Sequence, residues 1–365
     1  MILETTVEKL IPLVDSANRI TARNSTLSAL GTILITVSKN ILKIRATNLS
    51  LGIELEMSVK SEKDGVVAID GKILAEFLNT LQKNSKIKIV AEETTISVIT
   101  DKNRTTIKTH PYEDFPTLPT VSGVEVSIPK NEFIRGVKMT AFSAALSDIK
   151  PEISSVCVVA DKNTLIFAAT DSFRLAEKRE VLHKPAEFSP IIIPYKNINE
   201  IARVIEGVSG DVKVTIGENQ ISFTSPSVYI TSRIISGSFP DYKQIIPKSF
   251  TTDVIVLKQD ILNVLKSANI FSDKFNQITF VISPSKKKME CLSKNNDVGE
   301  FIGAVDASLT GDDVSISINQ RYFMDCLAFI PQDSISIGLN GGSRPVVIRG
   351  VSDGSFTYLL MPMNR

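Results

Sequence analysis

Histidine, cysteine and tryptophan are the scarce residues of this chain, with two, three and none among 365 residues. His110 and His183 both fall in loop-like segments beside or near proline, so a histidine-based metal site or a Ser/His/Asp triad is poorly supplied. Cys157, Cys291 and Cys326 are odd in number, show no CxxC spacing and have apolar neighbours, which predicts buried free thiols in a reducing compartment. The phosphate-loop pattern, the glycine fingerprint of dinucleotide sites and HExxH are all missing, so no cofactor, no metal and no catalytic residue is expected. No apolar run approaches the roughly 20 residues of a membrane helix, and Met1-Ile2-Leu3-Glu4 lacks the basic start of a signal peptide. A cytoplasmic protein with no membrane partner is expected. A formal net charge of +1 leaves no global basic excess for gripping phosphates, so any contact with nucleic acid is loose.

The sequence is rich in alternation. Ile53, Leu55, Met57 and Val59 face one way while Glu54, Glu56, Ser58 and Lys60 face the other, the period of a half-buried strand. The segments 42–47, 212–216 and 314–318 repeat the pattern, and strands dominate. Two helical segments interrupt them in each third of the chain. With Lys72, Lys196 and Arg321 as origins, 124 and 125 residues apart, Leu74, Ile198 and Phe323 coincide at +2. Phe77, Ile201 and Cys326 coincide at +5, Leu78, Ala202 and Leu327 at +6, and Leu81, Ile205 and Ile330 at +9. This is one helix face met three times. A second face begins at Leu10, Phe133 and Ile261 and continues at Val14, Val137 and Leu265. Phe115-Pro116 and Phe239-Pro240, also 124 apart, close the first and second units. These features predict three domains of one α+β fold, near 1–122, 123–248 and 249–365, each with two helices against antiparallel sheets.

Few residues could carry chemistry. Thr170-Asp171-Ser172 sets an acid beside a hydroxyl, but no base is placed to activate Ser172, and these residue types occur in turns for conformational reasons. Lys286-Lys287-Lys288 reads as a solvated hairpin end. Lys72, Lys196 and Arg321 each start a helix with an acid four residues on, at Glu76, Glu200 and Asp325. Two readings fit: ordinary surface pairs worth a few tenths of a kcal/mol, or a positive stripe facing DNA. A cation opposes the helix dipole at that end, so helix stability alone does not favour it.

Ala169-Thr170-Asp171-Ser172-Phe173-Arg174-Leu175-Ala176 resembles the A-T-D-G-(H/Y)-R-L-(A/S) signature of bacterial DNA sliding clamps, the beta subunits of the replicative polymerase. Met361-Pro362-Met363-Asn364-Arg365 resembles that family's M-P-(M/I)-R-L ending, Phe239-Pro240-Asp241-Tyr242 its F-P-D-Y, and Leu30-Gly31 follows Arg23 as it does there. The resemblance covers the whole chain. It implies a DNA-clamp fold, a head-to-tail homodimer forming a six-domain ring around duplex DNA, and a tether for the replicative polymerase and other clamp-binding-motif proteins. It also implies a separate ATP-driven clamp loader. Twelve helices spaced about 9 Å apart on a circle leave a hole of about 24 Å, wide enough for a duplex, so that containment replaces affinity.

Residue by residue, the resemblance implies a partner-peptide pocket of Ile153, Thr170, Ser172, Phe173, Arg174, Leu175, Pro240, Gln244, Ile245, Leu359, Leu360, Met361, Pro362, Met363 and Asn364. It implies DNA-facing cations at Arg23, Lys72 and Lys196, with Arg321 at the third repeat position, and a dimer interface of Ile107, Ile270 and Phe271. Departures are Ser172 for glycine, Phe173 for His or Tyr, Gln244 for a basic residue, and the Asn364-Arg365 end. They put partner preference in question. Without the resemblance, the apolar members of the pocket read as core, and the alternatives are a peptide-binding repeat scaffold that does not encircle DNA or, more remotely, a hydrolase centred on Asp171 and Ser172.

Overall fold

The computed structural model describes residues 1–22 and 27–363. The first repeat runs β1 (Ile2–Thr6), α1 (Val7–Ile20), β2 (Thr32–Ser38), β3 (Ile41–Thr47), β4 (Leu51–Ser58), β5 (Lys60–Lys63), β6 (Gly65–Asp70), α2 (Gly71–Asn79), β7 (Lys86–Ala91), β8 (Thr95–Ile99) and β9 (Arg104–His110). The second runs β10 (Val124–Ile128), α3 (Lys130–Thr140), β11 (Ser155–Asp161), β12 (Thr164–Thr170), β13 (Arg174–Val181), β14 (Phe188–Pro194), α4 (Tyr195–Glu206), β15 (Val212–Ile216), β16 (Gln220–Ser225) and β17 (Val228–Arg233). The third runs β18 (Thr252–Leu257), α5 (Lys258–Ile270), β19 (Gln277–Ser283), β20 (Lys288–Asn295), β21 (Gly299–Val305), β22 (Ala307–Gly311), β23 (Val314–Asn319), α6 (Gln320–Leu327), β24 (Ser334–Leu339), β25 (Val346–Gly350) and β26 (Phe356–Leu360). The order is the same three times. Among the described residues, only β5 and β22, short strands added beside β1 and β18, have no counterpart in the second repeat.

The helix faces carry the core as their spacing requires. Leu10, Val14 and Ala17 of α1, Leu74 and Leu78 of α2, and Ile261, Leu265 and Ala268 of α5 are all buried. Lys72, Lys196 and Arg321 are the second residues of α2, α4 and α6, and all three are exposed. The adverse cation at the start of α2 is offset by its cap, since Asp70 accepts hydrogen bonds from the Lys72 and Ile73 amides.

All strand pairs are antiparallel, and two of them tie neighbouring repeats together. β4 pairs with β17, Gly52 opposite Thr231, and β13 pairs with β26, Leu175 opposite Leu359. By packing, the chain parts into two compact units, Met1–Ile134 with Lys196–Ile234 and Arg135–Tyr195 with Ile235–Arg365. The division falls inside the second repeat because each unit owns one of these shared sheets. The first holds a 13-stranded sheet, and the second a nine-stranded sheet and a four-stranded one, β21-β20-β19-β23. No helix of the described residues is long and apolar enough to cross a membrane.

Candidate functional site

The end of β12 and the start of β13 are held by a turn built entirely from its own polar atoms. Asp171 Oδ1 accepts from the amides of Phe173 and Arg174 at 2.9 and 3.0 Å. The Thr170 hydroxyl donates to the Arg174 carbonyl at 2.7 Å and accepts from the Ser172 amide at 3.1 Å. Ser172 stands at φ +78°, a left-handed conformation that costs an L-residue about 1 kcal/mol and glycine nothing. Asp171 Oδ2 accepts from Arg174 Nε at 2.9 Å, so both oxygens of this carboxylate are committed to the turn and neither is free to act as a base toward Ser172.

Arg174 is the clasp of the site. Its guanidinium reaches Asp325 of α6 at 2.6 Å and lies over the Tyr322 ring, 4.2 Å from the centroid. The expected pairing of Arg321 with Asp325 is therefore corrected: Asp325 serves Arg174, and Arg321 has no acidic partner among the described residues. A guanidinium with two carboxylates and an aromatic face outcompetes a solvated surface pair. Glu200 likewise accepts from Arg19 and Arg203, at 2.9 and 2.6 Å, whereas Lys72 keeps its loose 3.8 Å pair with Glu76.

The C-terminal segment follows β26 across the turn. The Met361 amide donates to the Phe173 carbonyl, and the Met363 amide to the Ser317 carbonyl, both at 2.8 Å. Phe173, Ile245 and Met361, the apolar residues expected at the rim of the pocket, are 63, 48 and 37% exposed, with Pro240 and Gln244 also exposed and Pro362 and Met363 half-buried. Below them Leu175 and Leu359 pack with Cys157, Ala168, Tyr242 and Val347. Leu175 and Leu359 are thus buried floor. Leu360 alternates to the opposite face and joins the third-repeat core with Tyr358 and Phe323, so it does not line the rim. Ile153 is half-buried ahead of β11, and Gln244 bonds Asp241 at 2.6 Å. Asn364 and Arg23 lie outside the described residues.

Beneath the rim, the Tyr242 hydroxyl donates to Glu177 at 2.6 Å, and Arg179 holds the other oxygen at 2.8 Å. Burial, followed by the Glu177 carboxylate, pushes the Tyr242 hydroxyl pKa up, so it remains a donor. This bond fixes the Phe239–Ile246 segment on β13. In the sequence Tyr242 stands out only within a motif, nothing there signals Glu177 or Tyr322, and Asp325 is marked only as the acid four residues after Arg321. Cys157, Cys291 and Cys326 are buried free thiols, and burial raises Cys157 and Cys291 to about 12, which leaves them unreactive.

At the expected dimer surface, Ile270 is 67% exposed while Phe271 is half-buried and stacks on Phe301, centroids 6.3 Å apart. Ile107 is 6% exposed. The alternation of β9 turns it into the core of its own chain, so Ile107 does not present its side chain as an exposed contact. Among the described residues, β9 pairs with β8 along its length and with β6 only at Thr109 and His110, and β21 pairs only with β20.

The N-terminal, central and C-terminal domain profiles of the DNA polymerase III beta subunit match residues 1–119, 127–241 and 243–364. Among curated relatives, the beta sliding clamp of Synechocystis sp. is 26% identical with 95% of each chain covered, and that of Haemophilus influenzae 24% with 98%. Among solved structures, a DNA polymerase III subunit beta sliding clamp from Pseudomonas aeruginosa has a TM-score of 0.94 at 24% identity, with all of both chains covered. The DNA polymerase III beta subunit of Thermotoga maritima also has a TM-score of 0.94, at 22% identity, covering 100% of this chain and 99% of that one.

Proposed function

The chain belongs to the DNA polymerase III beta subunit family, the sliding clamps, and from that membership we propose that two copies join head to tail into a ring that encircles duplex DNA and tethers the replicative polymerase. The observation that carries this reading is the threefold repeat of the junction strands. In the first repeat the third strand after the first helix, β4, pairs with the last strand of the second repeat, β17; in the second, β13 pairs with the last strand of the third, β26. Among the described residues the rule leaves one strand of each kind unmatched, β21 and β9, and a second copy placed head to tail supplies both partners.

The repeat also dictates the register. Gly52, Leu175 and Glu300 hold one position in the three repeats, and Thr231, Leu359 and Thr106 hold its counterpart. Glu300 of one copy therefore lies opposite Thr106 of the other. The charges suit the contact: Lys102, Arg104 and Lys108 accompany β9, and Asp297 and Glu300 accompany β21. Thr106→Cys with Glu300→Cys is expected to give covalent dimers on mild oxidation, because directly opposed antiparallel residues bring their Cα atoms to about 5 Å, within disulfide range. Denaturing electrophoresis checks it. A pair shifted by one residue that cross-links better contradicts the register.

The ring works on DNA by containment, with Lys72, Lys196, Arg321 and Arg23 offering sparse contacts to phosphates and none to base edges. Replacing Lys72 and Lys196 by Glu is expected to weaken direct DNA binding and to lower the slope of log affinity against log salt by about 0.9 for each phosphate no longer neutralised. Peptide binding stays unchanged. Salt-independent or sequence-selective binding measured by fluorescence anisotropy contradicts this reading. We assign the chain no catalysis of its own, and an ATP-driven loader opens the ring.

The peptide site is the Phe173–Ile245–Met361 rim over the Leu175–Leu359 floor. Mobile thioether and aliphatic side chains suit a surface that accepts several short apolar segments from different proteins.

A further inference from the structure

The turn at the start of β13 has a double at the start of β4. Asn48 Oδ1 accepts from the amides of Ser50 and Leu51, at 3.0 and 2.8 Å, as Asp171 does from Phe173 and Arg174. The Thr47 hydroxyl donates to the Leu51 carbonyl and accepts from the Leu49 amide, both at 3.0 Å, as Thr170 does for its own turn. Leu49 has φ +70°, against +78° at Ser172. The Arg233 amide donates to the Ser50 carbonyl at 2.8 Å, as the Met361 amide donates to Phe173. Arg233 thus stands in the first junction where Met361 stands in the second.

Around this second turn lies a cavity of about 240 Å³ whose lining includes Leu49, Ser50, Pro116, Pro119, Gln220 and Arg233. Pro116 is the repeat counterpart of Pro240. The volume is below the range of whole-ligand pockets and suits a single side chain. Leu49, 48% exposed, holds an apolar branched side chain at the mouth in a backbone conformation that L-residues avoid. Arg233 is exposed and has no acidic partner among the described residues.

We propose that this first-junction cavity is a second peptide-binding site, which takes a short partner segment carrying one apolar side chain for the cavity and one carboxylate for Arg233. It rests on reading the Phe173–Met361 rim as a peptide site. The exchange of methionine for arginine changes what is recognised: where the C-terminal rim offers a thioether, this one offers an unsatisfied cation, and an acidic-apolar segment is its complement.

The test uses the fluorescein-labelled pentapeptide Gly-Leu-Phe-Asp-Gly and anisotropy titration of the full chain, the chain lacking Met361–Arg365, and each with Arg233→Glu. The truncated protein is expected to retain one peptide per chain, with affinity falling about tenfold or more on Arg233→Glu, as removal of one charged pair requires. Arg233→Ala should fall in between. Leu49→Gly, which relaxes the backbone, should weaken binding several-fold without lowering the melting temperature, a combination that a merely structural Leu49 would not give. A truncated protein that binds no peptide, or binds it with no effect of Arg233→Glu, overturns the proposal and leaves the C-terminal site intact. If truncation changes nothing while Arg233→Glu abolishes binding, the first-junction site stands and the C-terminal reading fails.

Discussion

Removing Met361 through Arg365 is expected to lower the affinity for a polymerase-derived peptide by about 100-fold or more while leaving the dimer intact. The deletion takes away the Met361 wall of the rim together with the two backbone hydrogen bonds, Met361 to Phe173 and Met363 to Ser317, that hold the segment in place. A few buried anchors carry most of the energy of such an interface, and loss of one whole wall removes the burial of each. Phe173→Ala should cost less, about tenfold, because the side chain is 63% exposed and the Leu175–Leu359 floor persists beneath it. Processive synthesis should disappear with the peptide site, since the ring would remain on DNA without holding the polymerase. Titration of the labelled peptide against wild type, Phe173→Ala and the truncation checks the order. Unchanged affinity after truncation would displace the pocket.

Ile270→Arg with Ile302→Arg is expected to convert the protein into folded monomers. Both side chains are largely exposed in the single chain, at 67 and 60%, so their replacement removes little internal packing. At the proposed junction with β9 of the second copy, the register sets residue 302 opposite Arg104, so each substitution would bring a cation against the Lys102, Arg104 and Lys108 of that strand, at a cost of several kcal/mol per buried unpaired charge. The dimer Kd should rise by roughly a thousandfold or more. The choice of residues matters. Phe271 stacks on Phe301 within the chain, so its replacement would confuse folding with association. Sedimentation velocity together with far-ultraviolet circular dichroism separates the two effects, and a persistent dimer would misplace the interface.

The repeat is legible in the sequence because helix faces are local. Offsets such as Leu74, Ile198 and Phe323 depend only on the 3.6-residue period, and all three are buried as that period requires. The turn at Thr170–Arg174 is legible for the same reason, its hydrogen bonds spanning no more than four residues. Contacts across the sequence are not. Arg174 and Asp325 are 151 residues apart, and the helix spacing points Asp325 at Arg321 instead. Glu177 reads as a surface acid in an alternating strand until Tyr242, 65 residues on, is seen to bury it. Ile107 lies on the expected strand, but its direction depends on strand register, which a single residue's shift reverses. The twin of the turn is hidden because Asn48, Leu49 and Ser50 share no side chain with Asp171, Ser172 and Phe173; what they share is backbone geometry and an Asx oxygen in the same place.

The central claim is containment, and topology tests it more directly than affinity does. The protein is loaded by an ATP-driven loader onto nicked circular DNA, the mixture is gel-filtered at high salt, and half of the sample is cut once with a restriction enzyme before filtration. A ring held by its own closure stays with the circles and leaves the linear molecules, whose ends let it slide off. Equal retention on circular and cut DNA would mean that the protein binds DNA by contact and does not encircle it.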